Sequence, residues 1–199
     1  NTIGSPSADW PHLPDSPRAA GTPLRLVFLG VAEPHKGLPL LLEALAGMAD
    51  HELAAIDLAL YVRGIPALGE RLGALRPRLA GLSLQDGYRH DDLPRLLAGR
   101  DLGVVPPIWW DNAPQVVFEL LALGVPVLGT RIGGIPDFVS DGVNGLLVEP
   151  HDPAALAAGI RRVLADPALT SRLRQGIRPM KSLRTHADEL ETFYTPGRG

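Results

Sequence analysis

Short apolar runs alternate along the chain with segments in which apolar residues recur every three or four positions. The runs are rich in valine and leucine and predict buried strands. These predicted strands lie at residues 24–29, 56–62, 82–85, 102–105, 125–128 and 146–148. The periodic segments predict helices. The helices are expected to begin near residues 38, 68, 93, 114 and 153 and after Pro167, with a last one at 185–194.

Strands that alternate with helices imply right-handed βαβ units and a parallel sheet. We therefore expect an α/β fold, doubly wound and Rossmann-like, with the strand order 3-2-1-4-5-6. In that order the first and fourth strands are neighbours at the switch point, where ligands bind outside the carboxyl ends of the strands. The loops that follow these two strands are the expected functional site.

The fourth predicted strand leads through an acidic loop into a helix. Asp111 lies in the loop, and Pro114 suits the first helical turn because its missing N–H would be unpaired there. The amides of Gln115 and Val116 then lie in the first turn of the helix, where the dipole favours an anion. Glu119 follows about one and a half turns later. Each acid alone is explained by capping or by the dipole, but the pair predicts a site for phosphate and hydroxyl groups.

The loop after the first predicted strand is bounded by Gly30 and Gly37 and carries Lys36. A strand, a glycine-bounded loop and a helix form a general plan for binding phosphate. The loop is not a P-loop, because His35 and Gly37 flank the lysine where a P-loop needs glycine and serine or threonine. The dinucleotide fingerprint is also absent. Lys36 is the predicted phosphate-binding cation.

The stretch from Asp111 to Glu119 resembles the acid, seven residues, acid element of retaining family 4 glycosyltransferases (glycosyl transferases group 1). The usual pair in that family is Glu and Glu, so Asp111 departs by one methylene. The strand GVPV at 124–127 and the segments TRIGGIPD at 130–137 and DGVNGLLV at 141–148 are also similar. The resemblance runs from about residue 24 to residue 194. It implies the C-terminal, nucleotide-sugar-binding half of a GT-B fold.

The resemblance also implies roles for matching residues. Lys36 would bind the donor diphosphate and Asp111 would hold hydroxyls of the transferred sugar, and these two are the expected catalytic residues. Glu119 would accept hydrogen bonds from the ribose hydroxyls, for which a carboxylate is well suited. The family's arginine in the first loop is replaced by Val31, and Arg63 at the same sheet edge is expected to replace it in part.

The remaining predicted donor contacts are less specific. Tyr88 or Arg89 is expected against the base, and the Gly133–Gly134 turn would bring backbone close to the ligand. The complete predicted donor-binding set is Gly30, Val31, Lys36, Arg63, Tyr88, Asp111, Asn112, Ala113, Pro114, Gln115, Val116, Glu119, Gly133 and Gly134. The donor is expected to be a UDP- or GDP-linked sugar. Lys36 and the helix amides would stabilise the leaving group, so no metal and no other cofactor is expected.

Composition limits the remaining possibilities. The chain of 199 residues is 45% hydrophobic and 21% charged, which is typical of a soluble globular domain. A net charge of −3 without a basic cluster argues against nucleic acid as a partner. No cysteine, no signal peptide and no transmembrane segment is evident, so a cytoplasmic location is expected. The histidines lack metal-ligand spacing and are interpreted as surface residues; they include those at positions 12, 51, 90, 151 and 186.

Residues 1–23 are rich in proline and predict an interdomain linker, followed by the nucleotide-sugar-binding domain with C-terminal helices at 24–199. We expect the acceptor, a sugar, lipid or small molecule, to be held by a missing N-terminal domain. Two alternatives stay open. Val31 and Asp111 favour a non-catalytic nucleotide-binding module, and a sugar-nucleotide epimerase would need an acid and a base that have no evident place. A receiver-type signalling domain is disfavoured, because the first strand lacks its acidic pocket.

Overall fold

The computed structural model describes residues 10, 13, 18, 19, 21–65, 69–110 and 115–178. In these residues the strands form a parallel sheet in the order β3-β2-β1-β4-β5-β6. The strands are β1 (Leu24–Val31), β2 (Ile56–Arg63), β3 (Gly81–Gln85), β4 (Leu102–Val105), β5 (Val127–Thr130) and β6 (Gly145–Val148). The helices are α1 (Leu38–Ala46), α2 (Asp50–Leu53), α3 (Gly69–Leu75), α4 (Leu93–Leu97), α5 (Gln115–Ala122), α6 (Ile135–Phe138), α7 (Pro153–Ala165) and α8 (Leu169–Gln175).

The predicted strand order is confirmed, and β1 pairs in parallel with both β2 and β4. Successive residues of a strand point to opposite faces of a sheet. On β1, Leu26 belongs to an apolar layer that includes residues of α1, α3 and α7. Its neighbour Val27 belongs to a second layer that includes residues of α4 and α5. Helices therefore cover both faces of the sheet, and the ends of the strands remain as the places where a ligand can enter.

β1 and β5 differ from their predicted bounds by two residues, while β2, β3 and β6 differ by one. β1 continues through Gly30 and Val31, which pair with Val62 and Arg63 of β2. These two residues therefore end the strand instead of beginning the loop. β5 begins at Val127 and not at residue 125, because the N–H of Val125 donates to the carbonyl of Leu120 at 2.8 Å and the following proline has no N–H.

The helices show further differences. The one-turn helices α2 and α6 were not predicted, because each is too short to display helical periodicity. α3 begins at Gly69 and includes Gly73 in its interior. Asp92 makes no side-chain cap for α4 and instead accepts a hydrogen bond from the N–H of Arg89 at 3.3 Å. The predicted start of α7 near residue 153 is confirmed, and Asp152 caps it by accepting from the N–H of Ala155 at 2.9 Å.

Several predictions fall on residues outside those described, including the helix at 185–194 and the helix start at Pro114. Of the proposed linker, the described residues contact the domain. Trp10 stacks on His90, and Nη2 of Arg18 donates to the carbonyl of Val163 at 2.9 Å. The division at residue 23 stays a prediction. Within the described ranges, no helix is long and apolar enough to cross a membrane.

Candidate functional site

The loops after β1 and β4 are joined to each other beneath the site. The N–H of Ile108 donates to the carbonyl of His35 at 3.0 Å. Gly37 has a φ of 82°, which an L side chain rarely adopts, and a Cβ added there would overlap the carbonyl oxygen of Pro106. Glycine is therefore required where the two loops cross, and this close approach sets the position of Lys36 relative to β4.

A cavity of about 300 Å³ opens at the carboxyl ends of the strands, beside the start of α5. Its lining residues come from the ends of β1 and β2, from the loop after β3, and from the first turns of α5. They are Gly30, Val31, Arg63, Gly87, Tyr88, His90, Gln115, Val116 and Glu119. The place is the one that doubly wound sheets use to bind ligands.

A second cavity of about 190 Å³ shares Gly30, Val31, Gln115 and Val116 with the first and adds Lys36 to its lining. A third, of about 160 Å³, lies where Lys36 meets the loop after β4 and is lined by His35, Lys36, Pro107, Trp109 and Trp110. Both tryptophans are largely exposed, at 70% and 77%. The three cavities share lining residues in sequence, so Lys36 and the start of α5 lie between the end that holds Glu119 and the end lined by the two tryptophans.

Glu119 is the buried acid of the first cavity, with only 4% of its surface exposed. Its Oε1 accepts a hydrogen bond from Nε2 of Gln115 at 3.0 Å and lies 3.2 Å from Nδ1 of His90. Its Oε2 is buried and has no hydrogen-bond partner among the described residues. A buried carboxylate oxygen without a partner costs free energy. A ligand hydroxyl in the cavity could supply the missing hydrogen bond.

Burial changes the protonation of two side chains here. It raises the pKa of Glu119, while His90 and Gln115 act in the opposite direction by favouring the carboxylate. Burial also raises the pKa of Tyr88, and the nearby Glu119 carboxylate adds to the effect. Tyr88 is consequently a phenol, able to donate a hydrogen bond, throughout the physiological pH range.

The structure brings many of the predicted site residues together. Those around the first two cavities are Gly30, Val31, Lys36, Arg63, Tyr88, Gln115, Val116 and Glu119. Gly133 and Gly134 lie in the turn between β5 and α6 and are not among the lining residues of these cavities. Asp111, Asn112, Ala113 and Pro114 lie outside the described residues. The role of each residue stays a prediction.

His90 corrects the prediction that the scattered histidines lie on the surface. Its side chain is only 34% exposed, lines the first cavity and contacts Glu119. His90 has no second histidine at metal-ligand spacing, so the sequence pattern did not indicate a function for it. The signal that could have found it is its place two residues after Tyr88, in the loop that leaves β3 at the same edge of the sheet.

The fold and the cavity together define a doubly wound α/β domain with a cavity at its topological switch point. Residues 23–166 match the family described as "Glycosyl transferases group 1". The chain therefore belongs to the glycosyl transferases group 1 family. The predicted family and the doubly wound fold are confirmed.

Curated relatives agree with this assignment. The chain is 34% identical over 173 residues to a D-inositol 3-phosphate glycosyltransferase of Salinispora arenicola, covering 81% of this chain and 38% of the relative. It is 40% identical over 158 residues to a protein of the same name from Geodermatophilus obscurus, covering 73% and 34%. The chain thus spans about a third of the length of these relatives.

Solved structures show the same fold. Sucrose-phosphate synthase from Thermosynechococcus elongatus superposes with a TM-score of 0.71 at 25% identity, covering 89% of this chain and 46% of that one. The Anabaena protein Alr3699/HepE in complex with UDP gives a TM-score of 0.72 at 20% identity, covering 86% and 49%. The second likeness is one of fold alone. In both comparisons the matched part is about half of the longer chain.

Proposed function

We propose that this domain binds a nucleoside-diphosphate sugar and forms the donor side of a retaining glycosyltransferase. The observation that carries the proposal is the series of cavities at the switch point. A buried acid with an unpartnered oxygen, Glu119, lies at one end, and Lys36 lies with the start of α5 in the middle. In a bound nucleoside diphosphate, the ribose hydroxyls would lie at Glu119 and the diphosphate at Lys36 and the start of α5. The names of the curated relatives support transfer of a glycosyl group.

The proposed chemistry depends on stabilising the leaving group. Negative charge develops on the diphosphate as the glycosidic bond breaks. Lys36 and the backbone N–H groups at the start of α5 would stabilise that charge as preorganised donors, so the proposal requires no metal ion. Asp111 would hold hydroxyls of the transferred sugar beside them. The acceptor would be bound by a further part of the protein, as the greater length of the relatives suggests.

Arg63 is the proposed substitute for the arginine that the family carries at the position of Val31. Val31 and Arg63 are paired residues on the neighbouring strands β1 and β2, and both line the first cavity. A cation on β2 can therefore approach the same part of the cavity that a side chain at position 31 would reach. This pairing supports a donor site in which one cationic contact has moved to the adjacent strand.

Lys36→Ala tests the proposal. The substitution should weaken binding of UDP or GDP, whichever the wild type prefers, by about 1.5–3 kcal/mol, the range for a hydrogen bond to a charged group. Binding of the corresponding nucleoside should stay nearly unchanged, because it has no phosphate for Lys36 to contact. Isothermal titration calorimetry measures both affinities. Arg71→Ala removes an exposed cation from α3 and serves as the control.

Equal losses for nucleotide and nucleoside would contradict the assignment of Lys36 to phosphate. A wild-type chain that binds no nucleoside diphosphate would contradict the proposed function itself. The non-catalytic module remains the rival, and the specific observation in its favour is the uncharged Val31 in the cavity wall. A full-length protein that binds the nucleotide sugar tightly and transfers nothing to any acceptor would favour the module.

A further inference from the structure

His90 and Glu119 form a side-chain pair in the wall of the first cavity. Nδ1 of His90 lies 3.2 Å from Oε1 of Glu119. A carboxylate is an acceptor only, so Nδ1 is the donor of this hydrogen bond when Glu119 is ionised. The imidazole ring of His90 also contacts the ring of Trp10, and the two ring centroids lie 4.4 Å apart. The imidazole is thus held from two sides while it orients the carboxylate.

Each member of the pair keeps one buried polar atom without a partner among the described residues. These atoms are Oε2 of Glu119 and Nε2 of His90. Native structures leave few such atoms unsatisfied, so each one needs an explanation. Since both side chains line the same cavity, the pair is arranged around the ligand site and not only around the core.

We propose that His90 is a positioning residue for nucleoside binding: through Nδ1 it orients the Glu119 carboxylate and keeps it ionised, so that Oε2 accepts a ribose hydroxyl. The inference rests on the proposed function, since it names the ribose of the donor as the ligand of Glu119. A buried carboxylate without a hydrogen-bonded partner tends to take up a proton. A protonated Glu119 would lose acceptor capacity at the cavity.

No other titratable group among the described residues donates a hydrogen bond to the Glu119 carboxylate in place of His90. Arg63 and Tyr88 line the same cavity, and Tyr88 is neutral because burial raises its pKa. The contacts made directly on the carboxylate of Glu119 come from the neutral Gln115 and from His90. On the turn that carries His90, the charged side chains are Arg89, Asp91 and Asp92. Asp92 is already engaged by the N–H of Arg89 and, at 3.6 Å, by Arg95.

The test measures the preference for ribose as the ratio of two dissociation constants, those of the nucleoside diphosphate and of its 2′,3′-dideoxy form. The probes are UDP and GDP with their dideoxy counterparts, titrated into the whole chain by calorimetry between pH 5.5 and pH 8.5. Glu119→Ala gives the ratio expected when the ribose contact is lost. The variants of interest are His90→Ala and His90→Asn, because the amide of asparagine places an N–H donor near the position of Nδ1.

We expect His90→Ala to reduce the ribose preference by about tenfold at neutral pH, the effect of losing one hydrogen bond to a charged group. His90→Asn should restore most of it. In His90→Ala the preference should also disappear at a higher pH than in the wild type, because Glu119 without its partner gains a proton more readily. A purely structural role for His90 would change affinity for both ligands alike and would leave this pH dependence unmoved.

A His90→Ala chain that keeps the wild-type ratio, while Glu119→Ala loses it, would overturn the inference and leave the proposed function intact. A wild type without any preference for ribose would overturn the assignment of Glu119 as well. If His90→Ala does not fold by circular dichroism, His90→Asn and His90→Gln decide the matter. Glutamine mimics Nε2 and not Nδ1, so equal ratios in the two variants would overturn the positioning role.

Discussion

The carboxylate of Glu119 lies where a charge costs free energy, because burial removes it from water. The other buried residues of α5 are the apolar Val117, Leu120 and Leu121. The neighbours Gln115 and His90 satisfy one oxygen of Glu119 and leave the other without a partner among the described residues. An isosteric amide in its place would carry no charge. An uncharged residue at position 119 would therefore favour the stability of the fold, whereas the proposed ligand contact requires a carboxylate.

Glu119→Gln should raise the thermal stability of the chain near pH 7. Burial raises the pKa of Glu119 in the folded state above its ordinary value. Folding is therefore favoured by the protonated form below the ordinary pKa, and that contribution is lost as the pH rises through the folded-state pKa. The advantage of glutamine should be present at neutral pH and should shrink as the pH falls toward about 4.3, the ordinary pKa of glutamate.

Melting curves at pH 7.5 and pH 4.5, followed by circular dichroism, measure this difference. Glu43→Gln, at an exposed position of α1, is the matched control and should have little effect at either pH. A stabilisation of Glu119→Gln that is equal at both pH values would show that the gain comes from packing and not from the buried charge.

At the scale of elements, the site depends on how two loops are joined rather than on any long helix. The loop after β1 crosses the loop after β4 at Gly37, and the His35–Ile108 hydrogen bond holds the crossing. Lys36 immediately precedes the crossing point. A displacement of the backbone there would move the cation away from the start of α5.

Gly37→Ala should destabilise the chain by about 2 kcal/mol or more and should also weaken nucleotide binding. The added methyl group meets the Pro106 carbonyl at a φ of 82°, so both a clash and backbone strain are introduced. Gly142→Ala is the control, because Gly142 has a similar φ of 75° and open space around its Cα. Urea unfolding of both variants separates the clash from the strain common to them. Similar losses in the two would show that the loop crossing contributes nothing.

The strands could be predicted from the sequence because buried parallel strands are continuous apolar runs, which loops rarely contain. Their order followed from the alternation of strands with helices. The end of β1 and the start of β5 were misplaced. Gly30 and Val31 look like loop residues and still pair with β2, whereas Val125 looks like strand but uses its N–H to end α5. Such choices depend on which partner is nearby, which a single sequence does not contain.

Of the site, the sequence indicated the residues with a chemical signature, such as Lys36 after a strand and Glu119 near a helix start. The structure adds His90, whose significance depends on the distance to Glu119 across 29 positions of the chain. Histidine alone has no pattern that distinguishes a surface ring from a buried partner. A pair of this kind can be recognised only in the folded structure, where the loop after β3 lies beside the start of α5.

At the scale of the molecule, the described residues form one sheet, and the cavities of the candidate site lie at the carboxyl ends of its strands. The curated relatives are about three times as long as the region that they share with this chain. A donor site at the edge of a sheet is open on the side away from the strands. Trp109 and Trp110 are largely exposed and line a cavity together with Lys36. If the site binds the donor as proposed, we expect a further part of the protein to present the acceptor.

We therefore expect the chain by itself to bind the nucleotide sugar without transferring the sugar at an ordinary enzymatic rate. Transfer requires donor and acceptor to be held in register, an advantage that can amount to roughly 7–11 kcal/mol. An open cleft also admits water to the reacting carbon, so slow donor hydrolysis is the expected side reaction. Mass spectrometry of the purified chain, incubated with its best-binding nucleotide sugar and a broad pool of acceptors, measures both products. Rapid glycosylation of an acceptor would refute the expectation, and a longer protein that includes the acceptor-binding part should show that activity under the same conditions.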